Sequence, residues 1–179
     1  MNIYPKGDVN LLKQSNLVSV VGTREISKKS SEWLKEAFKK LPKDTVIVSG
    51  LALGTDTIAH KLALEFGFKT IAVLPTGINR ITPRKNIPLA EEILKDGGLL
   101  LSEYSPNTGL EYNGQYIERN KIIAKLGKYL IMPQCNKQSG TMSTVNFFRK
   151  QKKVIVIQDD NYSGNEYILK DDRYLSIIF

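Results

Sequence analysis

Short apolar runs along this chain end repeatedly in small or polar residues, and segments with helical periodicity separate them. The transitions that carry glycine are Gly22-Thr23-Arg24 after 17–21, Ser49-Gly50 after 46–48, Thr76-Gly77 after 71–74 and Ser139-Gly140-Thr141 shortly after 129–132. Strands that alternate with helices pair in parallel through right-handed crossovers. The runs are continuously apolar, as is typical of strands that helices cover on both faces. The pattern therefore predicts an α/β fold, a Rossmann-like layered sandwich.

The same periodicities predict the individual elements. Strands are expected at 17–21, 45–49, 70–74, 99–102, 129–132 and 153–157, and helices at 28–41, 56–66, 89–95, 117–126, 141–150 and 165–170. The apolar end of the chain, 174–179, is expected to be either an edge strand or a partner surface. No repeat, linker or second domain is evident, so residues 1–179 are predicted to form a single domain.

The glycine-rich transitions are predicted to form one anion-binding edge. In an open α/β sheet the carboxyl ends of the strands meet the amino ends of the helices, and small residues let backbone N–H groups approach a phosphate there. Arg24 adds a planar guanidinium suited to phosphate. Two further basic strings, Arg84-Lys85 and Arg119-Asn120-Lys121, are expected near the same edge. Nearby tyrosines are interpreted either as stacking partners for bases or as loop packing: Tyr104, Tyr112 and Tyr116.

Composition narrows the classes of function. The net charge of +8 favours a polyanionic partner, nucleic acid or anionic lipid, although runs such as Lys39-Lys40 are equally typical of solvated helix faces. The single cysteine, Cys135, excludes an internal disulfide and a cysteine-based zinc site. The chain shows no signal peptide and no apolar segment of membrane length, so a cytoplasmic protein that does not bind membranes is expected.

Two kinds of chemistry are disfavoured by the motifs. Dinucleotide binding needs Gly-x-Gly-x-x-Gly, and here Arg24 and Ser27 stand at the second and third glycine positions, so no cofactor is predicted. His60 is the only histidine, which leaves no histidine pair for a metal site. Because His60 follows Asp56 by one helical turn, a structural hydrogen bond between the two is expected, with Asp56 capping the helix.

Longer strings resemble the DNA-processing protein A (DprA/Smf) family over roughly residues 17 to 172. The matching strings are 20–24, 49–60, 69–74, Thr76-Gly77-Ile78-Asn79 with Pro83 and Asn86, 101–104, 119–124, Ser139-Gly140-Thr141 and Gly164-Asn165. The resemblance implies an extended Rossmann-like three-layer sandwich with a mostly parallel sheet. It also implies a non-enzymatic homodimer that binds single-stranded DNA and assists loading of a RecA-type recombinase in natural transformation and recombination.

Carried over by position, the resemblance implies a set of residues that bind DNA phosphates. Arg24, Arg84, Lys85 and Lys121 would contact the strand, with Arg119 and Asn120 beside them. The remaining members would form the floor of the site: Gly22, Thr23, Ser49, Gly50, Ser139, Gly140 and Thr141.

The chain also departs from the family pattern. Gln134-Cys135 stands where the family usually has Glu-Ala. The chain reads as the family's core alone, without the N-terminal helical and C-terminal winged-helix modules. A role on a mobile element is therefore an alternative to transformation.

Two other classes of function stay open at this stage. In related nucleotide phosphoribohydrolases a glutamate acts at the glycosidic bond, and Thr144 occupies its position here, which leaves that chemistry without its carboxylate. The other alternative is a sensor domain that binds a small nucleotide in the anion-binding crevice.

Overall fold

The fold is built on one eight-stranded sheet. The computed structural model describes residues 2–171 and the backbone of 176–178. Within these residues the strands are β1 (Tyr4–Gly7), β2 (Leu17–Val20), β3 (Val46–Ser49), β4 (Lys69–Val73), β5 (Leu99–Ser102), β6 (Tyr129–Met132), β7 (Ile155–Ile157) and β8 (Ser176–Ile178). The helices are α1 (Lys28–Lys39), α2 (Thr55–Phe66), α3 (Ile87–Lys95), α4 (Gly114–Leu126), α5 (Thr141–Lys150) and α6 (Ser163–Lys170), with short 3-10 helices at Val9–Lys13 and Arg84–Asn86.

The strand order places a topological switch at the centre of the sheet. The order is β1-β5-β4-β3-β2-β6-β7-β8, and every pair is parallel except β1 with β5. From β2 the chain builds outward to β5 on one side and then returns to β6 on the other side of β2. Ligands of open α/β sheets bind where the strand order reverses in this way, outside the carboxyl ends of the strands.

Helices cover both faces of the sheet, so the three-layer sandwich is confirmed. On one face α4, α5 and α6 contribute Ile123, Phe148 and Ile168 to a core that continues across the sheet. On the opposite face α1 and α2 bury Phe38 and Leu62, and α3 buries Ile93, against alternate strand residues. Because helices shield both faces of the sheet from solvent, the central strands β2 and β3 are buried at every position.

Capping residues set the ends of the first two helices. The Oγ of Ser27 accepts from the N–H of Ser30 at 3.1 Å and begins α1, and Pro42 follows its end. Gly67, at φ 74°, ends α2 in the left-handed conformation that glycine favours. The predicted strands 99–102 and 129–132 and the predicted helix 141–150 coincide with β5, β6 and α5.

One strand was missed, and three expectations need correction. The strand β1 was not predicted, because a four-residue edge strand with Pro5 and Lys6 has no apolar run to reveal it. The helix α4 begins at Gly114, three residues before the predicted 117. Asp56 does not cap α2, whose N-cap is Gly54, and His60 bonds to Thr70 instead of Asp56, with its Nδ1 2.8 Å from Oγ1.

The structure describes only part of the segment 174–179, which was expected to be an edge strand or a partner surface. The backbone of 176–178 forms an edge strand parallel to β7, whereas 172–175 and Phe179 lie outside the described residues. The prediction of one domain over residues 1–179 therefore stays a prediction. Among the described residues, no helix combines the length and the apolarity needed to cross a bilayer.

Candidate nucleic-acid interface

A crevice of about 390 Å³ opens at the switch between β2 and β6. The loop after β2 forms one wall, and the loop after β6 with the start of α5 forms the second. The first turn of α2 and the first two turns of α4 form the floor. The lining residues are Val21, Gly22, Thr23, Arg24, Ala52, Asp56, Tyr116, Arg119, Asn120, Ser139, Gly140, Thr141 and Thr144. Eight of the thirteen residues that the sequence assigned to phosphate binding are among them.

Arg119 forms the floor of the crevice and is only 6% exposed. Its Nη1 donates to the carbonyl oxygens of Gly50 and, at 3.2 Å, of Val73, so the guanidinium ties the ends of β3 and β4 together. Its Nε donates to the Oδ1 of Asn120 at 2.9 Å. A Cβ at position 50 would collide with this guanidinium, so glycine there lets Arg119 reach the carbonyls. Arg119 therefore presents a fixed charge, not a mobile one.

Asp56 is the counter-charge of Arg119. The carboxylate is buried, and its Oδ2 accepts from the N–H of Ala52 at 3.3 Å. Burial raises the pKa of Asp56 above its usual value, and the positive charge of Arg119 acts in the opposite direction. Burial also lowers the pKa of Arg119, which Asp56 counteracts. With Arg24 included, two arginines face one carboxylate in the lining, which leaves the crevice positive.

His60 lies behind this floor as a neutral group. Thr70 donates its hydroxyl proton to the carbonyl of Ile47 at 2.9 Å, so Nδ1 of His60 must be the donor in the bond to Thr70. Burial and, less strongly, Arg119 lower the pKa of His60 to about 3. The imidazole does not line the crevice. The structure thus gives His60 a packing role.

Arg24 stands at the mouth of the crevice. Its side chain is exposed, and its Cζ lies 5.4 Å from the centroid of the Tyr116 ring. The Cζ of Arg119 lies 6.0 Å from the same ring. Within the described part of the chain, no carboxylate forms an ion pair with Arg24. The guanidinium is therefore positioned by an aromatic face while its hydrogen-bond donors stay available.

Backbone amides of both loops line the crevice. The Oγ1 of Thr141 donates to the carbonyl of Gly22 at 2.8 Å, which joins the two loops across the switch. No hydrogen bond from the N–H groups of Gly22, Gly140 or Thr141 to a protein acceptor is found among the described residues. Two of these groups belong to the amino end of α5, where the helix dipole favours negative charge. Both walls therefore offer open donors for an anion.

The residues that depart from the family pattern support these walls. The Oε1 of Gln134 accepts from the N–H of Ser27 at 2.8 Å, and its carbonyl accepts from the N–H of Thr23 at 2.9 Å. Gln134 therefore fixes the loop that carries Arg24. The thiol of Cys135 is buried, and burial raises its pKa to about 11, so it is a packing group and not a thiolate.

The other predicted residues do not line the crevice. Ser49 is fully buried beneath it, where its hydroxyl donates to the carbonyl of Val20 at 2.7 Å. Lys121 is exposed and interacts electrostatically with Glu103 and Glu118. Arg84 and Lys85 also lie outside the crevice, and each lines a different groove.

Two asparagines hold loops of the site through hydrogen bonds, a role that the sequence motifs did not predict. Asn86 donates from Nδ2 to the carbonyl of Leu51 and to the Oγ1 of Thr57, both at 2.8 Å. It thereby holds Leu51, a buried non-glycine residue at φ 58°. Asn165 accepts from the N–H of Cys135 at 2.8 Å and holds the loop after β6. Both asparagines stand in the family-like strings, which was the only signal for them.

The crevice offers little to a metal ion. No group of three or more His, Cys, Asp or Glu side chains among the described residues is arranged to hold one. Thr144 lines the crevice with a hydroxyl group, and Asp56, the one carboxylate among the described lining residues, faces Arg119. Fold and site together define a Rossmann-like α/β protein with a positively charged, amide-lined crevice at its switch point.

Comparison with known proteins identifies the family. The family model of DNA recombination-mediator protein A matches residues 1–172, and the chain belongs to this family. It is 40% identical to DNA processing protein DprA of Streptococcus pneumoniae over 143 residues, which are 79% of this chain and 49% of that protein. It is 34% identical to protein Smf of Escherichia coli over 180 residues, 97% of this chain and 47% of that protein.

A solved structure has the same fold. The structure of DNA processing protein A from Helicobacter pylori, described for its single-stranded DNA binding mode, superposes with a TM-score of 0.89 at 31% identity and covers 98% of this chain and 81% of that one. The chain spans about half the length of the curated relatives it matches.

Proposed function

We propose that this protein binds single-stranded DNA, with phosphates of the strand held in the crevice at the switch between β2 and β6. The observation that carries the proposal is Arg24, an exposed guanidinium without a carboxylate partner among the described residues, held over Tyr116 at the mouth. The open N–H groups of Gly22, Gly140 and Thr141 face the same space. Charge-assisted hydrogen bonds from both walls suit a phosphodiester.

The lining favours a single strand over a duplex and gives weak sequence preference. Tyr116 is partly exposed beside Arg24, so a base that leaves the backbone at this point can stack on its ring. Stacking requires a base that is not paired in a helix, and it accepts every base because each has a π-face. The single-stranded DNA binding described for the Helicobacter pylori relative supports this assignment.

The proposed role is binding without catalysis. The carboxylate of Asp56 already pairs with Arg119, and the hydroxyl of Thr144 is not a group that acts as a general acid or base. We also propose that the protein acts in the cytoplasm as a homodimer and helps load a RecA-type recombinase during DNA uptake or recombination. The description of the family as a recombination mediator supports the recombinase as partner.

The proposal is tested by fluorescence anisotropy of a labelled oligo-dT strand across a salt series. Loss of one phosphate contact in Arg24→Ala lowers affinity and reduces the salt slope by about 0.7. Lys43→Ala is the matched control, because Lys43 is exposed in the loop before β3, at the amino edge of the sheet. Its binding should match that of the wild type.

Two results would contradict the proposal. If Arg24→Ala binds like Lys43→Ala, the strand does not use the crevice. If a mononucleotide saturates the crevice and the oligonucleotide does not bind, the protein is a nucleotide sensor. In Lys121→Ala a smaller loss is expected than in Arg24→Ala, because Glu103 and Glu118 already offset the charge of Lys121.

A further inference from the structure

A second groove, of about 440 Å³, lies at the same edge of the sheet. It runs between the loop after β4 and the loop after β5, and we call it the basic groove. Its lining includes Thr76, Asn79, Arg80, Thr82, Arg84 and Leu110. Arg80 was not predicted to bind DNA, whereas Arg84 was predicted to lie near the anion-binding edge and, from the resemblance, to contact the strand.

The charge of the basic groove is uncompensated. Both Arg80 and Arg84 are exposed, and none of the described residues that line the groove is acidic. Within the residues that the structure describes, neither arginine forms an ion pair. By contrast, lysines on the outer helices, such as Lys35 with Glu65, do form ion pairs. Two guanidinium groups in a concave site without a carboxylate are suited to phosphate.

The walls of the groove are held together before any ligand arrives. The N–H groups of Gly77 and Asn79 donate to the carbonyls of Thr108 and Pro106, each at 2.8 Å. The Nδ2 of Asn79 donates to the Oδ1 of Asn107 at 3.0 Å. The loops approach so closely that a Cβ at position 77 would collide with the Ser105 carbonyl. A fixed groove loses little conformational freedom when a ligand binds.

The basic groove is continuous with the crevice. A notch of about 100 Å³ shares Arg24, Tyr116 and Arg119 with the crevice and shares Thr82 with the basic groove. In the described part of the chain, no acidic residue lines the notch. A chain of phosphates can therefore pass from Arg24 over Thr82 to Arg84 and Arg80 without meeting a carboxylate.

We propose that the basic groove is a second phosphodiester subsite, in which Arg80 and Arg84 bind the strand after it leaves the crevice. This inference rests on the proposed single-stranded DNA binding. Leu110, which is 43% exposed, supplies an apolar contact for a sugar or base beside the arginines. The protein then binds a strand of several nucleotides, and its affinity rises with oligonucleotide length until both subsites are filled.

The test compares oligo-dT of about 4 and about 16 nucleotides, the range over which single-strand sites extend. In Arg80→Ala and in Arg84→Ala, binding of the longer strand weakens about fivefold and its salt slope falls by about 0.7. The shorter strand, which fills the crevice alone, changes less than about twofold. Lys43→Ala, with its exposed lysine at the far edge of the sheet, is the control at both lengths.

The outcomes separate this inference from the proposed function. If Arg24→Ala weakens binding at both lengths while Arg80→Ala and Arg84→Ala behave like Lys43→Ala, the subsite is wrong and the crevice stands. If Arg80→Ala and Arg84→Ala weaken the binding of both oligonucleotide lengths equally, the two arginines contribute only general positive charge, and the subsite is also wrong. If Arg24→Ala changes the affinity for neither oligonucleotide length, the proposed function itself is contradicted.

Discussion

Replacing Gly50 by alanine tests whether the buried Arg119 is the fixed floor of the crevice. A Cβ at position 50 would collide with Nη1 and Cζ of Arg119 and lie 2.8 Å from the Oδ2 of Asp56. Gly50 is not in the left-handed region, so the backbone itself accepts alanine. The cost therefore comes from displacing the Arg119 guanidinium, which lines the crevice, and from crowding the Asp56 carboxylate.

The magnitude follows from the bonds that are lost. Nη1 of Arg119 donates to the carbonyls of Gly50 and Val73, and hydrogen bonds from a charged group contribute about 1.5–3 kcal/mol each. A guanidinium displaced into the crevice regains part of this from water, while Asp56 is left buried without its partner. We expect Gly50→Ala to lower the free energy of unfolding by about 2–4 kcal/mol, a large part of the roughly 5–15 kcal/mol typical of a domain.

The assay is urea denaturation at equilibrium, which reports the midpoint and the slope separately. Gly140→Ala is the matched control, because a Cβ at position 140 meets nothing within 4 Å and its φ is −59°. The control should lie within about 0.5 kcal/mol of the wild type. If Gly50→Ala is equally stable, Arg119 is free to move and the description of the floor is wrong.

Three further predictions concern groups behind the crevice. The pKa of His60 is lowered to about 3 in the folded protein, so only the unfolded chain binds a proton at this residue between about pH 6.5 and pH 3. As the pH falls through this range, the free energy of unfolding therefore decreases by up to about 1.4 kcal/mol per pH unit. Thermal melts of His60→Asn, which keeps a donor to Thr70, should lack this contribution. Asn165→Ala, which removes three buried hydrogen bonds, should lower the free energy of unfolding by about 2–4 kcal/mol in urea titrations, whereas the exposed Asn161→Ala should not; equal stabilities would contradict this. The pKa of Cys135 is raised to about 11, so iodoacetamide should alkylate it at least about tenfold faster in urea than in the folded protein, and equal rates would refute its burial.

Local patterns were sufficient for most elements of the fold. The continuous apolar runs at 99–102 and 129–132 became β5 and β6 without a shift of boundary, because a strand covered on both faces needs apolar residues at every position. The strand β1 shows the limit of this signal. Its residues pair through the backbone with β5 at an edge, so their side chains are free to be polar and nothing in the sequence marks the pairing.

The site depended on tertiary structure in a way that spacing does not reveal. Gly22 and Thr141 lie far apart in the chain, yet their contact at 2.8 Å exists because β6 returns to the side of β2. Strand order decides which loops face each other, and it depends on the packing of all the helices together.

What the sequence by itself determined is most of the elements, and it predicted the kind of chemistry at their ends. Alternating apolar runs and helical periods specify an α/β sheet, and the glycines beside Arg24 predict an anion-binding edge. Only the tertiary structure separated the neighbours Arg119 and Lys121, one buried as the floor and the other exposed beside acidic residues. The physical reason is that each helical residue turns about 100° from the last, so side chains two positions apart point to nearly opposite sides of the helix and enter different surroundings. Those surroundings are built by other parts of the chain.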